Sequence, residues 1–457
     1  MIMIFKKARI NVLVAATLLV GSGTACASGF ALIEQSGSGL GNAYAGGAAS
    51  AEDASTIFYN PAGMSRLSGK QITVAGSMIK PSAKFSDTGS TPAAFQTTNN
   101  GNGGDAGSWG LVPNAYFAME VNPQTRIGLG INAPFGLKTE YDANWIGRFQ
   151  AKKSKIQTVN LNPSVSFDVN EMVSLGAGLN YQRITGDLTS AINWAAIAFA
   201  AAGGGAGGLA AAGAANAAGQ GEGVTTVTGD DSAWGYNLGA LFKVSEQTRV
   251  GLAYRSKINY KLTGSVSFSN RPTAAAVGAP LAGGIAAAYP DGPVSLDIKM
   301  PDSFSASMVN RANDKLDIMA DATWTGWSVF NQLNVVRGNG TTLSSTPENW
   351  KNTWRFAVGA TYHYDEQWLS RIGVAYDQTP VSDKYRTARI PDNSRKWLSL
   401  GGQYKFSKVS ALDFGYAHLF VKDSTINQNQ TATGAGNLVG TYKNSVDILS
   451  VQYTQNF

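Results

Sequence analysis

Few residues in this sequence are suited to covalent chemistry. There are two histidines, His363 and His418, and one cysteine, Cys26. A nucleophilic mechanism needs a base within hydrogen-bond reach of a hydroxyl or thiol. Neither histidine is accompanied by a serine in a G-x-S-x-G turn. Two histidines and no further cysteine also make no metal-ligand constellation. The G-x-G repeats around residues 37–47 lack the strand–helix context of a nucleotide site. The reading is therefore no enzyme, no metal, no cofactor and no nucleic-acid partner. What remains is a set of charged side chains in otherwise uncharged surroundings: Arg183, Glu348, Lys351 and Arg355. Arginine grips a carboxylate through a forked pair of hydrogen bonds. The same residue types also build structural Arg–Glu ladders, and both uses stay open at this point.

The elements that must hold these residues follow from composition and pattern. Only 14% of the 457 residues are charged, against about 25% in soluble domains. Aromatics reach 10%, which argues against disorder. Residues 1–27 read as a secretory leader. Lys6, Lys7 and Arg9 form a basic start, Ile10–Val20 is an apolar run too short to span a bilayer, and Ala25 and Ala27 form an A-x-A cleavage site. Cleavage after Ala27 removes three cations and the only cysteine, leaving 33 basic and 30 acidic residues. The exported chain has no disulfide available to it.

Beyond the leader, period-two alternation dominates. Trp234, Tyr236, Leu238, Ala240 and Phe242 share one face, with Gly235, Asn237 and Gly239 on the other. The same holds for Val173–Tyr181, Leu316–Trp324, Trp354–Tyr364 and Leu412–Phe420. Such runs are strands with one apolar face. The opposite faces are small and polar rather than apolar, so the strands do not share one soluble core. In hydrocarbon every backbone group must be paired, which leaves a closed sheet. Short polar turns (121–125, 168–171, 245–248, 311–314, 365–367, 407–408) alternate with longer segments (86–107, 142–153, 190–224, 270–292, 336–349, 381–393, 423–440). That asymmetry is the pattern of an outer-membrane barrel, here of about fourteen antiparallel strands. The last strand, SVDILSVQYTQNF, ends on Phe457 with Leu449, Val451 and Tyr453 on its face.

Residues 28–69 do not alternate. They are rich in Gly and Ala and carry Phe30, Leu32, Ile33, Phe58 and Tyr59. A disordered tail lacks such residues, so the segment is expected inside the lumen. The stretch GFALIEQSGSGLGNAYAGGAASAEDASTIFYNPAGM resembles the N-terminal hatch of the long-chain fatty-acid outer-membrane transporter family, which also includes toluene- and xylene-type hydrocarbon channels. APFGLKTEY, TVNLNPSVSF, NTWRFAVGATYHYDEQW and IPDNSRKWLSLGGQY match in order, so the resemblance covers essentially the whole mature chain.

The resemblance implies a leader (1–27), a hatch (28–69) and a fourteen-stranded all-β barrel (70–457). It implies extracellular loops and a pocket that take a hydrophobic ligand, and a kink in the third strand through which ligand leaves sideways into outer-membrane lipid. Pro134, Phe135 and Gly136 mark that kink, since proline removes a ladder hydrogen bond. Asn60, Pro61 and Ala62 are expected to hold the hatch against it. The long loops 190–224 and 270–292 are apolar enough to gather ligand or are spacers. Arg355, with Lys351 four residues earlier, alternates onto the lumen face. Arg183 lies near the outer end of the fifth strand and Glu348 just before the tenth. All four are candidates for a ligand headgroup. Thr346 stands where the family carries a lysine, which favours a neutral ligand. The reading is a monomeric barrel importing long-chain fatty acids, with aromatic hydrocarbons or general diffusion as alternatives.

Overall fold

Strands with one apolar face and one polar face have two ways to bury the first, in a shared core or in lipid. A computed structural model, describing residues 29–96 and 101–457, takes the second. The leader, with Cys26 and the cleavage site at Ala27, lies outside the described residues.

Fourteen antiparallel strands close on themselves: β1 (Lys70–Asp87), β2 (Gly110–Asn122), β3 (Thr125–Asn132 and Gly136–Glu140), β4 (Lys153–Asn170), β5 (Val173–Ile192), β6 (Gly223–Lys243), β7 (Thr248–Arg255 and Ile258–Phe268), β8 (Gly292–Met300 and Ser303–Asn313), β9 (Leu316–Thr325 and Gln332–Arg337), β10 (Thr342–Pro347 and Thr353–His363), β11 (Trp368–Asp377), β12 (Arg395–Ser407), β13 (Ser410–Val421 and Ser424–Gln430) and β14 (Gly436–Asn456). Closure is made by β14 pairing with β1 from Gln71↔Asn456 to Asp87↔Gly440. Among the described residues no helix is long and apolar enough to cross a membrane; strands do the crossing. The outer surface is apolar strand after strand, as in Ile72 and Met78 of β1, Val165 and Phe167 of β4, and Leu449, Val451 and Tyr453 of β14. Exposed apolar surface on that scale belongs against lipid.

Two of the expected loops are strands instead. Residues 336–349 contain a hairpin in which Gln332–Arg337 pairs with Thr342–Pro347. Residues 423–440 contain Ser424–Gln430, paired with β14. Their outward residues, such as Gln332, Asn334, Thr425 and Asn427, are polar while Val335 and Ile426 turn inward, so the apolar-outward pattern does not mark strands that rise above the bilayer into water. The segment between β5 and β6 holds helices Trp194–Ala201 and Gly205–Ala217, and that between β7 and β8 holds Ala274–Val277 and Ala279–Ala288. Their apolar side chains bury one another: Trp194 packs edge-on to Tyr289 at 5.5 Å and to Phe268 at 6.1 Å, with Ile285 buried beside them.

Residues 29–69 fold as short helical turns, Gly47–Ser50, Thr56–Tyr59 and Pro61–Arg66, against the inward faces of the strands. Inward strand glycines let its backbone approach. A Cβ on Gly251 would overlap the Ala48 carbonyl oxygen, and one on Gly373 the Asn42 carbonyl carbon. Polar side chains complete the docking. Gly37 donates to Gln452 Oε1 (2.9 Å), Gln452 Nε2 to Asp53 Oδ2 (2.8 Å), and Arg371 to both Asp413 (2.6 Å) and Glu52 (2.8 Å).

Candidate functional site

Proline at 134 breaks the third strand. The β2–β3 ladder runs from Asn122↔Thr125 to Ala115↔Ile131 and stops there. Gly110–Asn114 of β2 remains paired with β1, and Gly136–Glu140 with β4. Among the described residues no β2–β3 ladder pairs bridge the space between those two stretches, which is bounded on its outer side where the Glu140 N–H meets the Ala106 carbonyl (2.9 Å).

The polar groups freed at the break are met from inside. Leu32 N–H donates to the Pro134 carbonyl (2.8 Å) and Gly136 N–H to the Phe30 carbonyl (2.9 Å). Ala31 and Phe135 thus form an isolated antiparallel bridge. Gln35 Nε2 caps the Ala133 carbonyl (2.9 Å), and Asn114 Nδ2 donates to the Glu34 carbonyl (3.1 Å). On the barrel side Phe135 N–H bonds Thr158 Oγ1 (2.9 Å). Residues 30–35 therefore act as a substitute strand for the missing ladder.

The Asn60-Pro61-Ala62 triplet binds elsewhere on the wall than expected. Asn60 Nδ2 donates to the Ala240 carbonyl of β6 (3.0 Å) and to the Ala48 carbonyl (2.6 Å), while its Oδ1 caps the Ala62 N–H (3.0 Å). Ala62 lies against Gly176 of β5 and Asn60 against Gly239 of β6, where a Cβ would collide with them. The expectation that the triplet holds the kink is corrected: the kink's hydrogen bonds go to Phe30, Leu32 and Gln35. Asn60 is an N-cap for the Pro61–Arg66 turn, and that turn leads its side chain to β6.

Between the break and the triplet lies a cavity of about 150 Å³. Leu32, Phe58, Tyr59 and Pro61 line it from the N-terminal segment, and Pro134, Phe135, Trp327 and Trp397 from the barrel. Next to it is an aromatic cluster. The Phe30 ring sits 4.9 Å from Trp327, 5.5 Å from Phe330 and Trp350, and 6.1 Å from Phe135. Burying such rings is strongly favourable, and edge-on contacts add to it. Nothing in the alternation pattern marks Phe30, Trp327 or Trp350 as neighbours, because none of them lies in a regular strand.

The four charged candidates separate. Arg355 lines the cavity, as its parity implies. Its Nη2 donates to the Ala43 carbonyl, Asp321 lies 3.9 Å away, and its Nε–H has no hydrogen-bond partner among the described residues. Glu348 is buried in the aromatic cluster's rim, accepts from Trp350 Nε1 (3.0 Å) and keeps Oε1 without a hydrogen-bond partner. Burial pushes its carboxyl up to about 8, against the pull of Trp350 and Arg389. Lys351 is exposed and does not line the cavity. β10 is interrupted between Pro347 and Thr353, so counting by twos across the gap fails. Arg183 is also corrected: it points outward with Tyr181, paired at 3.1 Å with an equally exposed Asp230. Thr346 pairs with Leu333 in the outer hairpin.

Sequence reasoning missed Arg255, at the end of the first half of β7, which also lines the cavity. Its signal was available: it shares parity with inward-facing Gly251 and Ala253. The histidines lie on different surfaces. His363 meets Asp317 (2.9 Å) at the short-turn end, and His418 meets Asp447 (2.8 Å) on the outer face.

A second cavity, of about 840 Å³, opens at the short-turn end beneath the N-terminal segment. Glu52, Arg66, Arg249, Arg311, Asp317 and Lys405 are among its lining residues.

A sequence profile described as "Outer membrane protein transport protein (OMPP1/FadL/TodX)" matches residues 18–457. The chain is 30% identical over 411 residues to the "Long-chain fatty acid transport protein" of Escherichia coli strain K12, covering 88% of this chain and 90% of the relative. It is 33% identical over 440 residues to "Outer membrane protein P1" of Haemophilus influenzae, covering 89% of each. Among solved structures, a Pseudomonas aeruginosa FadL homologue superimposes with a TM-score of 0.82 at 30% identity, covering 94% of this chain and 99% of that one. The Ralstonia pickettii toluene transporter TbuX shares the fold, with a TM-score of 0.62 at 19% identity over 93% of this chain and all of that one.

Proposed function

The chain belongs to the outer membrane protein transport family (OMPP1/FadL/TodX), and on that premise we propose that it imports long-chain fatty acids and releases them sideways through the third-strand break. Residues 28–69 serve as the hatch. The observation that carries this reading is the break itself. The wall loses its β2–β3 ladder beside an apolar cavity, and the gap is filled by hydrogen bonds from a separate segment, whose withdrawal would open it.

The energetics favour that route. Each buried CH₂ stabilises a bound chain by about 0.8 kcal/mol, and an alkyl chain keeps that gain only on an apolar path. The cavity lined by Leu32, Phe58, Phe135 and Trp327 offers such a path toward lipid, and the charged short-turn cavity does not. Arg355 in the cavity wall supports an acid headgroup. Asn60, Pro61 and Ala62 anchor the hatch to β5 and β6, and so keep its far end fixed while residues 30–35 move. The helices in 190–224 and 270–292 gather ligand at the cell surface.

The aromatic lining of the cavity also favours a second reading, uptake of aromatic hydrocarbons. Cells whose own uptake channels are deleted, expressing this protein, distinguish the two. Labelled oleate should accumulate faster than in vector controls, and faster relative to controls than labelled toluene. Enhanced toluene entry with oleate at control level would transfer the assignment to hydrocarbons.

A further inference from the structure

Buried cations in folded proteins are paired, because an unpaired charge in a low-dielectric site is costly. The lumen of this barrel follows that rule at Arg371, between Asp413 and Glu52, and at Arg355, near Asp321. Arg255 breaks it. No carboxylate among the described residues pairs with it. Nη1 donates to the neutral amide oxygen of Asn180 (2.6 Å), and Nη2 to the Phe58 carbonyl (2.9 Å). The Asn180 amide belongs to a ladder of uncharged partners, Asn160 at 2.9 Å and Asn237 at 3.1 Å. The guanidinium lies over the Phe58 ring at 4.2 Å, which fixes its plane. Two of the five guanidinium donors are thus used, and the side chain borders the apolar cavity.

We propose that Arg255 is the carboxylate anchor of the cavity: a rigid, acid-free guanidinium whose missing counter-ion is the headgroup of the incoming amphiphile. This rests on the uptake reading above and specifies the ligand class as an aliphatic acid rather than a neutral hydrocarbon. Arg355, whose charge Asp321 already offsets, is secondary. Phe58 belongs to the N-terminal segment, so the anchor is assembled jointly by hatch and barrel. The headgroup is held while the tail lies toward Phe135 and the third-strand break.

The test compares oleate with oleyl alcohol, equal in chain and differing in charge, binding to the purified full-length barrel in nanodiscs. Wild type should bind oleate more tightly. Arg255→Met should weaken oleate by about ten-fold or more, the scale of a charge-assisted hydrogen bond, and change the alcohol by less than about two-fold. Arg355→Met should have the smaller effect. Asn180→Asp keeps Arg255 in place and gives it an internal acid, so it should also remove the preference for oleate. Heat-modifiability on gels checks that each barrel is folded. Should Arg255→Met prove unfolded, Asn180→Asp decides alone. Wild type and variants that share one oleate-to-alcohol ratio would overturn the anchor while leaving hydrophobic binding intact. Wild type binding neither probe would instead overturn the uptake reading and the anchor with it.

Discussion

The cavity beside the third-strand break and the cavity at the short-turn end are separated by the same N-terminal segment, yet they are built from opposite materials. The first is lined by Leu32, Phe58, Phe135, Trp327 and Trp397, with Arg255 and Arg355 as its cations. The second, several times larger, is lined by Glu52, Arg66, Arg249, Arg311, Asp317 and Lys405. One suits an alkyl chain with a charged end, and the other suits water. A general diffusion channel would need the two to join into a polar path, and Tyr44, Ala48 and the docked turns around them stand between. On the proposed route the large charged opening is bypassed and the small, mostly apolar cavity beside the interrupted ladder takes the ligand.

The largest effect expected from disturbing this contrast is on the apolar side. Trp327 is buried and touches the rings of Phe30, Phe135 and Trp350. Trp327→Ala should cost about 3–5 kcal/mol of packing, read as a lower unfolding temperature, with oleate uptake falling as the Phe30 end of the hatch loosens. Unchanged uptake would separate the aromatic cluster from transport.

A smaller effect is expected from pH. Burial raises the Glu34 carboxyl to about 7, partly offset by its own backbone hydrogen bond and by Arg355 and Arg395, and reinforced by Asp377. An acid whose folded pKa is raised binds its proton more tightly when docked. Docking stability is therefore full below about 4.5 and declines as pH rises toward 7, after which it levels off. Each tenfold gain in proton affinity on docking corresponds to about 1.4 kcal/mol. Protease cutting within residues 29–36 should be slower at about pH 5 than at about pH 8, and Glu34→Gln should abolish that difference. Equal protection of wild type at both values would remove Glu34 from the docking energetics.

The smallest effect is expected on the polar side. Arg311 and Lys408 line the short-turn cavity and lie away from the break. Replacing both with Ala should change oleate uptake by less than about two-fold, the scale of ordinary surface substitutions. A steep fall would mean that ligand does pass through the lower cavity.

The barrel was legible because lipid imposes a simple code. Apolar parity in strands such as β5, β6 and β10 reports the outward face directly, and Pro134 falls just past the point where the β2–β3 ladder stops. Parity fails where a strand is interrupted, as between Pro347 and Thr353, and so misplaced Lys351. It is silent where the outward face is polar and meets water, which hid the outer hairpins of β9–β10 and β13–β14. Arg183 shares the odd parity of Val173–Tyr181, so the pattern that marks the outward face also carries this charge away from the cavity. The partners of the kink were illegible for a different reason. Three hydrogen bonds between residues 30–35 and residues 133–136 depend on how a hundred intervening residues close into a ring, and no local pattern encodes that.

The central claim is that Phe30–Leu32 must part from the third-strand break for ligand to leave. Ala31 and Phe135 face each other as a non-hydrogen-bonded antiparallel pair, flanked by the Leu32–Pro134 and Gly136–Phe30 bonds. Such pairs have Cα atoms about 4.5 Å apart, within the range a disulfide spans. The described residues hold no cysteine, so Ala31→Cys with Phe135→Cys can be locked by oxidation and freed by a reductant in the same folded barrel. Oleate uptake by cells carrying the oxidised protein should fall to the vector level and recover on reduction. Uptake that stays at the reduced rate when the bridge is fully formed would contradict the lateral route.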